Sequence, residues 1–221
     1  MKRWRWLVAA AAALVAVGAV GLGVWPGAAA LLNVTAAKLT TQTFTDVVGT
    51  ATLRPNADRD GQTHNQWTSS STGTPCNSPS VQCYTLLNDN NANTYIFNSN
   101  PSPSQQAQFE LDDAPADVPA SGSPVVSVRV SFDAKKSGNI ARTVGATVEL
   151  RLGTNTVASA SDSDISDAGE TVTGSEVAVP LSRTDVNNLY VVVTGTTSGG
   201  GPGGPAVLQV SSISVQITYL K

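Results

Sequence analysis

The amino-acid sequence predicts an all-β protein: a single antiparallel, jelly-roll-like β-sandwich preceded by an N-terminal signal or anchor helix. Three observations predict it. Val126, Val128, Val130, Phe132 and Ala134 alternate with Ser127, Arg129, Ser131 and Asp133, the two-residue period of a strand with one buried and one wet face. The stretch ending at Tyr219 repeats the pattern with Ile213, Val215 and Ile217 against Ser212, Ser214, Gln216 and Thr218. After residue 32 no segment sustains the apolar spacing of a helix, and turn signals separate the strands. Such a pattern calls for about eight strands in two packed sheets; an immunoglobulin-type sandwich is the second choice, although a Cys…Trp…Cys core spacing is absent.

The chain divides into 1–30, 31–50 and 51–221. Lys2, Arg3 and Arg5 precede an apolar run from Leu7 to Val24, Pro26 and Gly27 break it, and Ala28-Ala29-Ala30 offers a cleavage site before Leu31. This is the order of a secretory signal peptide; an uncleaved membrane anchor is the alternative, since the run approaches the ~20 residues that span a bilayer. Both place the remainder outside the cytoplasm, secreted or at the cell surface, with the membrane touched only through the N-terminal segment. The Thr-rich stretch 31–50 reads as a first strand, a stalk, or a strand donated to a neighbouring copy, with Leu31, Leu32, Val34, Phe44 and Val47 as its apolar contacts.

Ala51–Pro55 is expected as a short strand. Residues 62–93 form a long polar loop, with a disulfide and Trp67 as its pins. Strands follow at Thr94–Phe97, Ala107–Leu111, Val125–Ala134, Thr143–Gly153, Asn155–Ser159 and Thr171–Leu181. A helical turn or β-turn at Thr184–Leu189 leads into Tyr190–Thr194, and the loop Ser198–Pro205 precedes the last strand. Leu208 and Val210 lie on the opposite parity to Ile213, which requires a bulge near Ser211-Ser212. The last strand is the best-patterned one and belongs in the middle of its sheet, beside Val125–Ala134.

Composition narrows function. The chain carries 13 Lys and Arg against 16 Asp and Glu. Without a basic stripe to grip phosphates, nucleic-acid binding is not expected. Cys76 and Cys83, the two cysteines, read as a local disulfide in an oxidising compartment; with His64 the single histidine, zinc is a poor rival.

Asn56-x-Asp58-x-Asp60-Gly61 matches the first half of a calcium loop, but Trp67 stands where the closing Glu would be, so it is no EF-hand. A structural Ca²⁺ shared with Asp89 or Asn90, or a plain Asx-rich turn, are the two readings; no other cofactor is expected. The acidic run Asp162, Asp164, Asp167 and Glu170 reads as a solvated loop. His64 lacks a paired nucleophile in any G-x-S-x-G context. Among the aromatics Trp67, Tyr84, Tyr95 and Tyr190, the polar neighbours of Trp67 make it the best sugar-stacking ring, with Tyr84 beside it. No catalytic residues emerge, and the chain is expected not to be an enzyme.

The order LRPNAD, a Trp in a polar loop and LNDNNANTYIF, followed by SVRVSFDA, VELRLG, TDVNNLYVVVTG and VSSISVQITY, resembles jelly-roll β-sandwich domains of secreted bacterial surface proteins and of phage tail or fibre proteins. The resemblance covers residues 51 to 220 and extends in shape to carbohydrate-binding modules. The leader argues against a virion subunit, which assembles in the cytoplasm. The expected function is a non-enzymatic surface structural protein, a filament or pilus-like subunit whose partners are copies of itself or other surface proteins. The alternative is a module that binds extracellular or cell-wall glycans.

Overall fold

The computed structural model describes residues 47–59, 66–78, 80–199 and 203–221. The signal or anchor segment, Leu31, Leu32, Val34, Phe44, Asp60 and His64 lie outside the described residues. Among the described residues no helix is long and apolar enough to cross a membrane.

Two antiparallel sheets make up the domain. The first holds seven strands: β1 (Val48–Leu53), β3 (Thr68–Ser69), β4 (Ile96–Ser99), β6 (Val125–Gly138), β9 (Glu170–Thr173), β10 (Val177–Leu181) and β12 (Ala206–Leu220). The second runs in the order β2 (Pro55–Asp58), β5 (Gln106–Leu111), β11 (Leu189–Ser198), β7 (Thr143–Leu152) and β8 (Asn155–Asp162). Among the described residues there are also two single-turn helices, α1 (Thr85–Asn88) and α2 (Arg183–Val186).

The β12–β6 pair is the spine of the first sheet. Its register runs from Ala206↔Gly138 to Tyr219↔Val125, with a shift between Val210 and Ser212 where the change of parity demands a bulge. Inward residues of both strands, Val128, Val130 and Phe132 with Ile213, Val215 and Ile217, are buried against Val148, Leu150, Val191 and Val193 of the second sheet. At roughly 25 cal/mol per Å² of buried apolar surface, this shared core is the main source of stability.

The sequence is read differently by the fold at three places. The expected strand Ala51–Pro55 is two strands in different sheets. The chain crosses at Arg54, whose amide donates to Asp112 Oδ2 (3.0 Å) while its carbonyl accepts from the Asp112 amide (2.9 Å). Pro55, with no N–H, begins the next strand, where it disturbs a ladder least. The first described strand begins at Val48, within the Thr-rich stretch 31–50 for which a first strand is one of the readings and ahead of the expected start at Ala51, and pairs with β12 from Val48↔Leu220 to Leu53↔Val215. Thr171–Leu181 is also two strands, both paired to β6; between them the Gly174 amide donates to Val130 O (2.9 Å). A Cβ on Gly174 would lie 2.2 Å from Ser159 O, so only glycine lets the chain pass there.

The long polar loop is pinned as expected. Cys76 and Cys83 form a disulfide, and both are buried. Trp67 Nε1 donates to Gln105 O (3.0 Å). At the other pole of the domain, Tyr219 Oη and Lys221 Nζ share Asp117 Oδ2 (2.9 and 2.7 Å), and the Tyr219 ring covers Gly49.

Candidate functional site

The bulge that realigns β12 also shapes its outer surface. Val210 points inward opposite Ala134 and Ser212 pairs with Asp133, so Ser211 is the unpaired extra residue. Bulges widen and bend a strand locally and re-aim its side chains. A groove of about 460 Å³ lies over this point, lined by three strands and the loops beside them. Gln209 and Ser211 of β12 and Asp133 and Lys135 of β6 line it, with Thr171 of β9 on one side and Tyr95, just before β4, on the other.

Hydrogen bonds hold the lining. Thr171 Oγ1 donates to Asp133 Oδ1 (2.5 Å), leaving Oδ2 for a ligand. Gln209 Nε2 donates to Ser137 Oγ (3.1 Å), leaving the amide carbonyl as an acceptor. Glu170 Oε1 accepts from the Ser166 amide (2.6 Å), which fixes the turn forming one wall. Tyr95 is tied through its backbone: its amide donates to Ser70 Oγ (2.8 Å) and its carbonyl accepts from the Ser70 amide (2.9 Å). Its half-buried ring stands edge-on to Phe97, with centroids 6.2 Å apart. The groove thus joins one aromatic ring, carboxylates, an ammonium, an amide and hydroxyls on the outer face of the sheet.

The expected sugar platform is not at Trp67. That side chain is fully buried, because the loop folds inward and β3 pairs with β4 beside it; its indole packs in the core and no face is open to a ring. Tyr84 is partly buried against the same core.

The proposed calcium ligands have other partners. Asp58 accepts from the amides of Cys83 and Tyr84 (2.9 Å each). Burial pushes its carboxyl above the ordinary carboxylate range, and the two amides pull it part of the way back. Asp89 accepts from the Asn91 amide (2.9 Å) and Thr94 Oγ1 (2.6 Å), while Asn56 is exposed. Among the described residues no three His, Cys, Asp or Glu side chains gather as a metal would require.

The acidic run lies in a largely exposed loop, as expected, with local partners: Asp164 pairs with Lys136 Nζ at 3.0 Å, and Asp162 Oδ1 accepts from the Asp164 amide. A second, almost wholly polar pocket of about 280 Å³ lies on the other sheet. There the Arg59 guanidinium stacks over Tyr190, 3.6 Å from the ring centre.

No protein-family model and no curated protein matches the chain. Among solved structures it is similar to a Stig cyclase, Fisc, from Fischerella sp. TAU, in complex with (3Z)-3-(1-methyl-2-pyrrolidinylidene)-3H-indole. The identity is 11%, with 82% of this chain and 93% of that one covered and a TM-score of 0.39. It is also similar to the enzymatically active domain of tailspike protein 4 of bacteriophage CBA120, at 15% identity over 79% of this chain and 19% of that one, with a TM-score of 0.18. The expectation that the chain is not an enzyme does not stand beside these findings, since the first is an enzyme and the second is described as enzymatically active. At such TM-scores the likeness assigns no activity here.

Proposed function

We propose that this chain is an exported, surface-displayed β-sandwich that binds a glycan in the groove over the β12 bulge. The observation that carries the reading is the lining itself. A sugar ring offers an apolar face and hydroxyls that both donate and accept. Tyr95 supplies an aromatic surface, Asp133 Oδ2 and the Gln209 carbonyl supply acceptors, and Lys135 and Ser211 supply donors. Support for export comes from the leader-like first thirty residues and from the Cys76–Cys83 disulfide, a bond that persists in oxidising compartments. The strand order supports a jelly-roll lineage: β4-β12-β6 flanked by β9 and β10 faces β5-β11-β7-β8, and from β4 to β12 the chain passes back and forth between the sheets, staying in one sheet only from β7 to β8 and from β9 to β10.

A panel of soluble and insoluble glycans, offered to the exported chain, tests the reading. At least one glycan should be retained. Tyr95→Ala should weaken it about tenfold or more, the ~1.4 kcal/mol that an aromatic contact can supply, with the melting temperature nearly unchanged. No retention across the panel, or retention indifferent to both Tyr95→Ala and Asp133→Ala, would overturn it.

A further inference from the structure

An exposed strand edge is a template for another strand, and folded proteins blunt their edges with charge, proline, bulges or cover. Most described edges here are blunted. β2 begins with Pro55 and carries Asp58, β3 has two residues, β9 carries Glu170 and β10 carries Pro180. β8 ends in Asp162 and has the Gly174 backbone pressed on Ser159 O.

β1 differs. Its six residues, Val48-Gly49-Thr50-Ala51-Thr52-Leu53, include no charge and no proline, its register on β12 has no shift, and among the described strands it pairs with β12 alone. The Lys221 amide donates to Val47 O (2.8 Å), which fixes the phase of the ladder. In an antiparallel pair bonded and non-bonded residues alternate. Val47, Gly49, Ala51 and Leu53 therefore spend their backbone groups on β12, while Val48, Thr50 and Thr52 turn theirs to the open side. Five large apolar side chains are exposed among the described residues. Four of them, Val47, Val48, Val126 and Leu220, gather at this end of the sheet, with Val48 directly opposite Leu220; the fifth is Ile140.

We infer that β1 is the docking edge for a second copy of this chain, paired antiparallel about a two-fold axis at Thr50. The strand is its own complement. Centring the axis on Thr50 sets the outward groups of one copy's Thr50 against those of the other, and Val48 against Thr52. This gives one Thr–Thr and two Val–Thr cross-strand pairs with no charge to repel. A two-fold contact of this kind closes on itself, so it makes a dimer with one continuous sheet rather than a filament. It uses neither the groove nor its ligand, and the two proposals stand or fall separately.

Sedimentation velocity of the exported chain over a concentration series reads the association. The wild-type chain should pass from monomer to dimer. Thr50→Lys places two like charges across the axis, and Thr50→Pro removes an outward N–H without touching a bond to β12. Each should raise the dimer dissociation constant about tenfold or more while leaving the melting temperature in place. Thr50→Cys should yield a dimer that dithiothreitol splits, and Thr52→Cys should not, because its opposite number is Val48. A wild-type chain that stays monomeric throughout, variants at Thr50 that associate like wild type, or crosslinking at Thr52 as ready as at Thr50 would overturn the inference.

Discussion

Asp58 sits where a polar turn meets the core, and its carboxylate receives the amides of Cys83 and Tyr84 at the entry to α1. Asp58→Ala leaves both amides without an acceptor in a half-buried place. The expected cost is about 2–3 kcal/mol, since hydrogen bonds to a charged group are worth ~1.5–3 kcal/mol and burial without a partner is penalised; urea unfolding measures it. Single residues were the least legible part of the sequence. The N-x-D-x-D-G spacing describes an oxygen-rich turn equally well whether the oxygens meet a cation or backbone amides, and here the amides of Cys83 and Tyr84 hold Asp58. Trp67 misleads for a related reason: its neighbours Gln66 and Thr68 are polar, but a single large ring in a polar loop can anchor that loop to the core, and Trp67 does so. The groove was illegible because its lining comes from Tyr95, Asp133, Thr171 and Gln209, which only the sheet order brings together.

At the scale of elements, alternation carried the reading. It located β5, β6, β7, β8, β11 and β12, and the parity change at Ser211 located the bulge, because a one-residue slip turns every later side chain to the wrong face. A break within an alternating run was not visible at Arg54, which ends one pairing and begins another while Leu53 and Pro55 keep the apolar period; at Gly174 the parity changes, from Val172 to Val177, Val179 and Leu181, and marks the break. The turn expected at Thr184–Leu189 is α2, closed by a capping box in which Asp185 N donates to Ser182 Oγ (3.1 Å) and Ser182 N donates to Asp185 Oδ2 (2.9 Å). The Ser182 hydroxyl and amide hold the Asp185 carboxyl below its ordinary range. The folded pKa thus lies below the unfolded one, near 3.9. This contribution is complete above that value and is lost as pH falls through the folded value. Ser182→Ala should cost about 1 kcal/mol at neutral pH and should flatten the acid limb of a stability–pH profile below about pH 4.

For the whole molecule, each sheet is built on one long pair, β12–β6 in the first and β11–β7 in the second, and the core between them joins the two; Cys76 and Cys83 reach that core from a loop outside both long ladders. Reduction should therefore lower stability by about 2–3 kcal/mol, the loop-entropy value for so short a ring, and leave the far-ultraviolet dichroism of the sheets intact. Loss of the sheet signal on reduction would show that the loop organises the domain. The pairing of first strand with last has a mechanical consequence. Val48 lies opposite Leu220, so residue 47 and Lys221 leave the sheet side by side at one end of an antiparallel ladder. A load applied between those two points meets the ladder one rung at a time, as a zipper does, instead of shearing all its rungs at once. Under such tension the β1–β12 seam is the part of this domain that yields first.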